Sequence, residues 1–282
     1  MQRELAPNWG LTVDFVANVT RDQLGLIDIN EPIVFGGPRP GVNFFDPDGT
    51  LIPAEARGTS FGRVFQYQTR SELDADYKSL QVAINKRFAD RFSLRTAYTL
   101  QEANYVGLSG GGAPGGVRRV WLDRDLRADY GRFSLDRTHV FNMSGTFSPI
   151  DNLSLGAVVS ASSGDRENET TGKDDNRDSD RTDRPIQGLT DGGRAIESEV
   201  DSEGRAVQFG IEGPGYFELN FSVRYTVELG GNRSLGLFWD LFNATNRTNL
   251  NGVQSNRSSS AFLTSTTAFL PRQMQVGARF SF

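Results

Sequence analysis

Residues 217–229 read Phe217-Glu218-Leu219-Asn220-Phe221-Ser222-Val223-Arg224-Tyr225-Thr226-Val227-Glu228-Leu229. Every odd position is apolar or aromatic and every even position is polar or charged. A β-strand points successive side chains to opposite faces, so this stretch predicts a strand with one apolar and one polar face. Thirteen residues exceed the usual length of a strand in a soluble protein and suffice for a tilted strand that crosses a bilayer.

The same alternation recurs along the chain and predicts about eight strands. The clearest further examples are residues 9–20, 92–101 and 273–282, and weaker ones lie near 76–88, 139–148, 153–162 and 234–243. Lys86 departs from the pattern, because its parity places it on the apolar face. We expect either that its ammonium reaches back to the nearby turn or that a bulge shifts the register.

The connections alternate strictly in length. Residues 89–91, 149–152 and 230–233 predict tight turns, whereas the long polar connections are 21–75, 103–137, 163–214 and 244–270. An antiparallel transmembrane β-barrel sorts its connections in this way, with short turns in the periplasm and long loops outside. The prediction is an all-β barrel wall in the outer membrane of a Gram-negative cell, with both termini periplasmic. We expect lipid to contact its apolar face. The charged side chains expected to point into a polar lumen are Asp14, Arg95, Glu218, Arg224 and Glu228. A soluble all-β protein with one face in a core is the alternative.

The amino-acid composition excludes several kinds of functional site. The chain has no Cys and one His, which excludes thiolate zinc sites and multi-histidine metal sites. Its net charge of -5 argues against a nucleic-acid partner. His139 with Asp136 and Ser144 has the residue types of a nucleophilic triad, but Ser144 has the opposite strand parity and no Gly-x-Ser-x-Gly turn is present. We therefore expect no enzymatic activity.

The connection 163–214 carries a candidate cation site and no certain cofactor. Carboxylate and amide oxygens recur there at a spacing that suits calcium. They belong to Asp174, Asn176, Asp178, Asp180 and Asp183. The sharp-turn Gly and the bidentate Glu of calcium loops are absent, and Arg177, Arg181 and Arg184 offer direct neutralisation. A solvated loop is the alternative, because 165–184 contains no aliphatic or aromatic side chain with which to form a core of its own.

Several segments, taken in order, resemble the barrel of TonB-dependent outer-membrane receptors, in particular the Oar-like group. The similar segments are 3–7, 77–88, 136–146, 241–249 and 271–282. The resemblance covers most of the chain and implies the C-terminal part of a barrel of about 22 strands, with plug, signal peptide and N-terminal strands missing. It implies uptake of an unidentified ligand, energised by the TonB complex through the missing N-terminal region. A fragment of this kind would not transport alone.

The last residues resemble the signal that the outer-membrane assembly machinery reads. A terminal aromatic residue is preceded by apolar residues at alternate positions, which are Val276, Ala278, Phe280 and Phe282. An ordinary final strand is the alternative for this feature. For the whole chain, two further readings stay open: a self-contained eight-stranded barrel that serves as an anchor or adhesin, and a soluble calcium-dependent binding module.

Overall fold

The computed structural model describes residues 1–28, 65–106, 118–119, 125–176 and 181–282. Within these ranges, apart from one 3-10 turn, Leu126–Asp129, the regular structure consists of strands. These are β1 (Gln2–Ala6), β2 (Trp9–Thr20), β3 (Gln23–Asp28), β4 (Phe65–Arg70), β5 (Ala75–Ala89), β6 (Phe92–Val106), β7 (Arg118–Arg119), β8 (Tyr130–Arg132), β9 (His139–Ile150), β10 (Leu153–Ser162), β11 (Arg166–Glu167), β12 (Ile211–Glu212), β13 (Tyr216–Gly230), β14 (Arg233–Phe242), β15 (Leu250–Val253), β16 (Ser265–Ala268) and β17 (Gln273–Ser281). In the described ranges no helix is long and apolar enough to cross a membrane.

The main sheet is an antiparallel meander in the order β1-β2-β5-β6-β9-β10-β13-β14-β17. The short strand β8 also pairs with β6, over residues 104–106, whereas β9 pairs with β6 over 92–100. Since β8 and β9 follow one another along the same side of β6, the sheet has nine strand positions. Within the described ranges, β1 pairs only with β2 and β17 only with β14.

The eight strands predicted from the sequence are confirmed, and the short strand β1 adds one further position to the sheet. β1 forms a hairpin with β2 through a turn at Pro7 and Asn8, where Asn8 has a φ of 69°. The alternation in this five-residue strand was too short to identify it. The β1–β2 pairing also places Met1 away from the short turns. Its ammonium donates to the carbonyl of Val13, in the interior of β2, at 2.7 Å. The chain therefore starts partway along β2, and only the C-terminus lies beside the short turns.

The register separates two faces of the sheet. Cross-strand partners on one face are apolar in row after row, for example Val13, Val82, Tyr98, Phe141, Ala161 and Phe217. The neighbouring residues along each strand face the other way and are mostly polar. One cavity of about 980 Å³ is lined by polar-face residues of six neighbouring strands, which are β5, β6, β9, β10, β13 and β14. The sheet is therefore curved, with its polar face on the inside.

Lys86 lies on the apolar face, as its parity predicts, but its ammonium group points toward the short turn instead of toward the surface of that face. Its Nζ donates to the carbonyls of Ala89 and Phe92 at 2.6 and 3.1 Å, and lies 3.8 Å from the centre of the Phe92 ring. The β5–β6 register shifts between Lys86 and Ala89. Both expected features are thus present: the ammonium reaches the short turn, and a bulge follows the residue.

The four long connections are named L1 (21–74), L2 (107–138), L3 (163–215) and L4 (243–272), and they leave the same end of the sheet. They carry structure of their own, because β3 pairs with β4 and β7, β11 with β12, and β15 with β16. Ile27, Leu73, Val106 and Leu126 form a small apolar core at the base of L1 and L2. In L3 the buried residues are largely polar, and they contact L2 and L4 rather than one another alone.

Candidate functional site: the polar face and the long loops

The polar face holds all five residues that were predicted to point into a lumen. With the exception of Phe238, their cross-strand partners are polar: Asp14 pairs with Gln81, Arg95 with Asn85, Glu218 with Ser160, Arg224 with Phe238 and Ser154, and Glu228 with Ser234. Apolar residues such as Val158 and Phe242 also lie on this face. The register therefore places these side chains on one face, which is the face that curves inward.

One pair of opposite charges on this face is compensated between neighbouring strands. Arg224 and Asp240 form an ion pair at 2.7 Å between β13 and β14, and Gln275 of β17 donates to Asp240 at 3.1 Å. Arg95 donates to Asn85 at 3.3 Å. This arrangement gives the inner surface hydrogen-bonding groups without a strong field of either sign, which suits contact with water or with a polar protein surface.

The long loops are joined to one another by buried carboxylates. Asp74 of L1 pairs with Arg127 of L2 at 3.0 Å. Arg184 of L3 pairs with Asp129 of L2 at 2.6 Å, and both side chains are fully buried. Arg127 is half-exposed, but the charges of Asp74, Asp129 and Arg184 are taken out of water and therefore require a partner.

The connection between L3 and L4 is built around Glu169. This carboxylate is completely buried, pairs with Arg257 of L4, and accepts the backbone N–H groups of Glu197 and Ser198 at 2.8 and 2.7 Å. Arg257 also donates to the carbonyls of Asp191 and Ala195, both at 2.9 Å. One ion pair thus holds two distant turns of L3 against L4.

The predicted calcium ligands divide between described and undescribed residues. Asp178 and Asp180 lie outside the described residues. Asn176 and Asp183 are buried, and the Asp183 carboxylate accepts the backbone N–H groups of Asp175 and of Asn176, the latter at 2.9 Å. Asp174 is exposed. No group of three or more His, Cys, Asp or Glu side chains with metal-binding geometry occurs among the described residues. A calcium site at these five residues stays a prediction.

The residues of the predicted assembly signal lie on the edge strand. Val276, Ala278 and Phe280 are on the apolar face, opposite Trp239, Leu237 and Leu235 of β14. β17 ends at Ser281, so Phe282 follows the strand rather than belonging to it, and it is 95% exposed. Its ring stacks on Phe280, with the ring centres 6.1 Å apart.

The triad-like residues are not assembled into a catalytic arrangement. His139 and Ser144 lie on opposite faces of β9, and the His139 ring is hydrogen-bonded to the Tyr98 hydroxyl at 2.8 Å. Asp136 pairs instead with Arg132 at 2.9 Å.

The sheet is curved, its outer face is apolar, and its short turns and long loops lie at opposite ends. These features define the wall of an outer-membrane β-barrel, a class of protein in which every backbone polar group is paired within the sheet. Residues 1–275 match the family described as outer membrane beta barrel domain, and the chain belongs to this family. It is a protein of the outer membrane.

Solved structures of receptors and transporters are similar to this chain at low sequence identity. The outer membrane transporter YddB from Escherichia coli has a TM-score of 0.50 at 8% identity, over 98% of this chain and 31% of that one. The siderophore receptor PiuA from Acinetobacter baumannii has a TM-score of 0.48 at 11% identity, over 96% and 26%. The ferric-catecholate import receptor Fiu from E. coli K12 gives 0.45 at 11%, over 97% and 25%. The chain thus spans about a quarter to a third of the receptors it resembles. No curated protein matches it.

Proposed function

We propose that this chain is the C-terminal section of the barrel of a TonB-dependent receptor of the Oar-like group. In the whole receptor, the polar face lines the lumen around a plug, and the long loops face the medium from which a ligand is taken up. Energy reaches the plug from the TonB complex through a region that precedes the barrel. The section alone does not transport.

The observation that carries this proposal is the pairing at the two edges of the sheet. β1 and β17 each have one strand neighbour among the described residues, which supports a barrel section that further strands complete. Nine strand positions also argue against a self-contained barrel, since single-chain bacterial barrels have an even number of strands. The continuous apolar face argues against a soluble calcium-dependent module, because nothing in the described ranges covers it.

The genomic sequence upstream of the Met1 codon provides the direct test. We expect one reading frame, or its remnant, that encodes a plug, a TonB-contacting segment and about a dozen further strands. An upstream region without any of these would overturn the receptor assignment and favour the anchor or adhesin. Partition of the chain into buffer rather than detergent, without heat-dependent gel migration, would instead favour the soluble module.

The proposed reading of the C-terminus by the assembly machinery has its own test. Deletion of Phe282 in the full-length receptor should lower the amount inserted in the outer membrane, because the exposed ring is available for recognition and forms no part of β17. Deletion of Leu270, which is also exposed but lies in L4, serves as the control. Equal surface levels of the Phe282 deletion and the parent would contradict this role.

A further inference from the structure

A small pocket lies where the ends of β10 and β13 meet the β15–β16 hairpin. Its volume is about 220 Å³, and residues from L2, L3 and L4 contribute to it. Pockets for drug-sized ligands are larger, at roughly 300–1,000 Å³, so this one accommodates only one end of a ligand. The side chains that decide its chemistry are Arg137, Ser162, Asp165, Glu167, Tyr216 and Phe269.

The charges around the pocket do not balance. Arg137 forms a two-point ion pair with Asp165, at 2.7 and 3.2 Å, which uses both of these charges. Glu167 has no hydrogen-bond or ion-pair partner for its carboxylate among the described residues. Arg166, its neighbour in β11, pairs with Glu212 at 3.0 Å. One carboxylate therefore remains uncompensated at the pocket wall.

Glu167 is half-buried, and this makes an uncompensated charge costly. Burial, and secondly the nearby Asp165 carboxylate, raise the pKa of Glu167 above its ordinary value. A cation placed in the pocket would remove this cost, whereas an anion would increase it. Ser162 also lines the pocket, and its hydroxyl oxygen, which is buried without a hydrogen-bond partner, adds a neutral acceptor.

Two aromatic side chains also line the pocket. The Tyr216 and Phe269 rings meet edge to face with centres 5.2 Å apart, and Phe269 is 49% exposed. The Tyr216 hydroxyl is hydrogen-bonded to Glu218, so the ring is held in place. Aromatic faces attract ammonium and guanidinium groups and pack against the alkyl chains that carry them.

We propose that this pocket binds the cationic end of an amine- or guanidine-bearing ligand, with the cation at Glu167 and Ser162 and its alkyl stem against Tyr216 and Phe269. The ligand chemistry is that of a lysine or arginine side chain in a peptide and equally that of a free polyamine. This inference goes beyond the proposed function and does not depend on uptake, because the pocket is formed by the chain itself.

Calorimetric titration of the folded 282-residue chain in detergent micelles tests the proposal. The probes are Nα-acetyl-lysine amide, cadaverine, and the uncharged Nα,Nε-diacetyl-lysine amide. We expect saturable binding of a charged probe and at least about tenfold weaker binding of the diacetylated one, the loss expected for a charge-assisted hydrogen bond. Preference for the lysine amide indicates a peptide source, and preference for cadaverine a free amine.

Substitutions assign the binding to this pocket. Glu167→Gln should weaken binding of the charged probe about tenfold or more, and Phe269→Leu should weaken it by a smaller factor. Glu199→Gln, which removes an exposed carboxylate from the same loop, should leave it unchanged. Far-ultraviolet circular dichroism verifies that each variant keeps the β-sheet content of the wild type. Equal binding of the charged and diacetylated probes, no saturable binding, or wild-type binding by both folded pocket variants would overturn the proposal.

Discussion

Gly277 of β17 is tightly fitted against the neighbouring strand β14. It pairs with Phe238 of β14, and the Phe238 ring lies over it so closely that a Cβ at position 277 would overlap the ring. Gly236, two residues from Phe238, has space, since its nearest neighbour to an added Cβ is the Arg279 carbonyl oxygen at 3.7 Å. The two glycines therefore differ in what they tolerate.

Gly277→Ala should lower the free energy of unfolding by about 1–3 kcal/mol, the usual cost of overpacking. Gly236→Ala is the matched control and should change it by less than about 0.5 kcal/mol. Denaturant unfolding in detergent micelles measures both. Adding Phe238→Leu to Gly277→Ala should recover part of the loss, because the ring is the obstacle. Equal effects of the two glycine substitutions would contradict this explanation.

Asp136 provides a prediction about pH. Burial raises the pKa of its carboxyl, although the Arg132 guanidinium at 2.9 Å and the more distant Arg166 act in the opposite direction. Its Oδ1 is buried without a hydrogen-bond partner among the described residues. Since the folded state binds this proton more tightly than the unfolded state does, the associated stability is complete below the unfolded pKa of about 4 and is lost as the pH rises through the folded value.

The free energy of unfolding of the wild type should therefore fall, relative to that of Asp136→Asn, as the pH rises from about 4 through the folded pKa. Above this range the two curves should run parallel. Unfolding measured at a series of pH values decides the question, with Glu199→Gln as the control for removal of an exposed carboxyl. Parallel curves throughout the range would show that Asp136 has an ordinary pKa.

At the scale of single elements, one side of the first residues of β13 is completed by a side chain rather than by a strand. β14 ends at Phe242, so the residues before Phe221 have no paired residue in β14, while β10 pairs with them on the other side. The buried Asn249 side chain takes the place of a β14 residue, because its Oδ1 accepts the Phe217 N–H at 3.0 Å and its Nδ2 donates to the Phe217 carbonyl at 2.9 Å. An amide thus reproduces the two hydrogen bonds of a paired residue.

Asn249→Leu should remove both hydrogen bonds while keeping the size of the side chain. We expect a loss of about 1–3 kcal/mol for the unsatisfied buried backbone groups and faster hydrogen exchange at the Phe217 amide. Asn251→Leu, an exposed position two residues further along, should leave exchange at Phe217 unchanged. Continued protection of Phe217 in the first variant would mean that another group replaces the amide.

The strands could be predicted from the sequence because a period of two is local information. The alternation from Phe217 to Leu229 is enough to assign the two faces of this strand without information from any other segment, and the same holds for the other predicted strands. The structure of the loops is not local. Glu169 and Arg257 are 88 residues apart, and nothing in either sequence neighbourhood indicates the partner. For the same reason the pocket at Glu167, assembled from three loops, could not be anticipated.

At the scale of the whole molecule, the described parts of L2, L3 and L4 form one connected assembly. Arg184 joins L3 to Asp129 of L2, and Glu169 joins L3 to Arg257 of L4. Backbone hydrogen bonds run parallel to the second pair, from Arg257 to Thr170 at 2.9 Å and from Thr170 to Ser255 at 3.1 Å. L3 is therefore the loop that connects the other two. Loss of one charge of a buried pair leaves its partner desolvated and unpaired, so we expect the two residues of each pair to be held or released together.

This connection predicts that L3 and L4 loosen together. Glu169→Gln leaves Arg257 buried without a charged partner, which should cost about 3–5 kcal/mol locally. Hydrogen exchange followed by mass spectrometry should then show faster exchange both at residues 197–198 and at 255–257, while the main-sheet strands stay protected. Glu197→Gln, an exposed carboxylate in the same turn, should change neither segment. If residues 197–198 exchange faster while 255–257 keep their protection, L4 is held by its backbone contacts alone and the loops move independently.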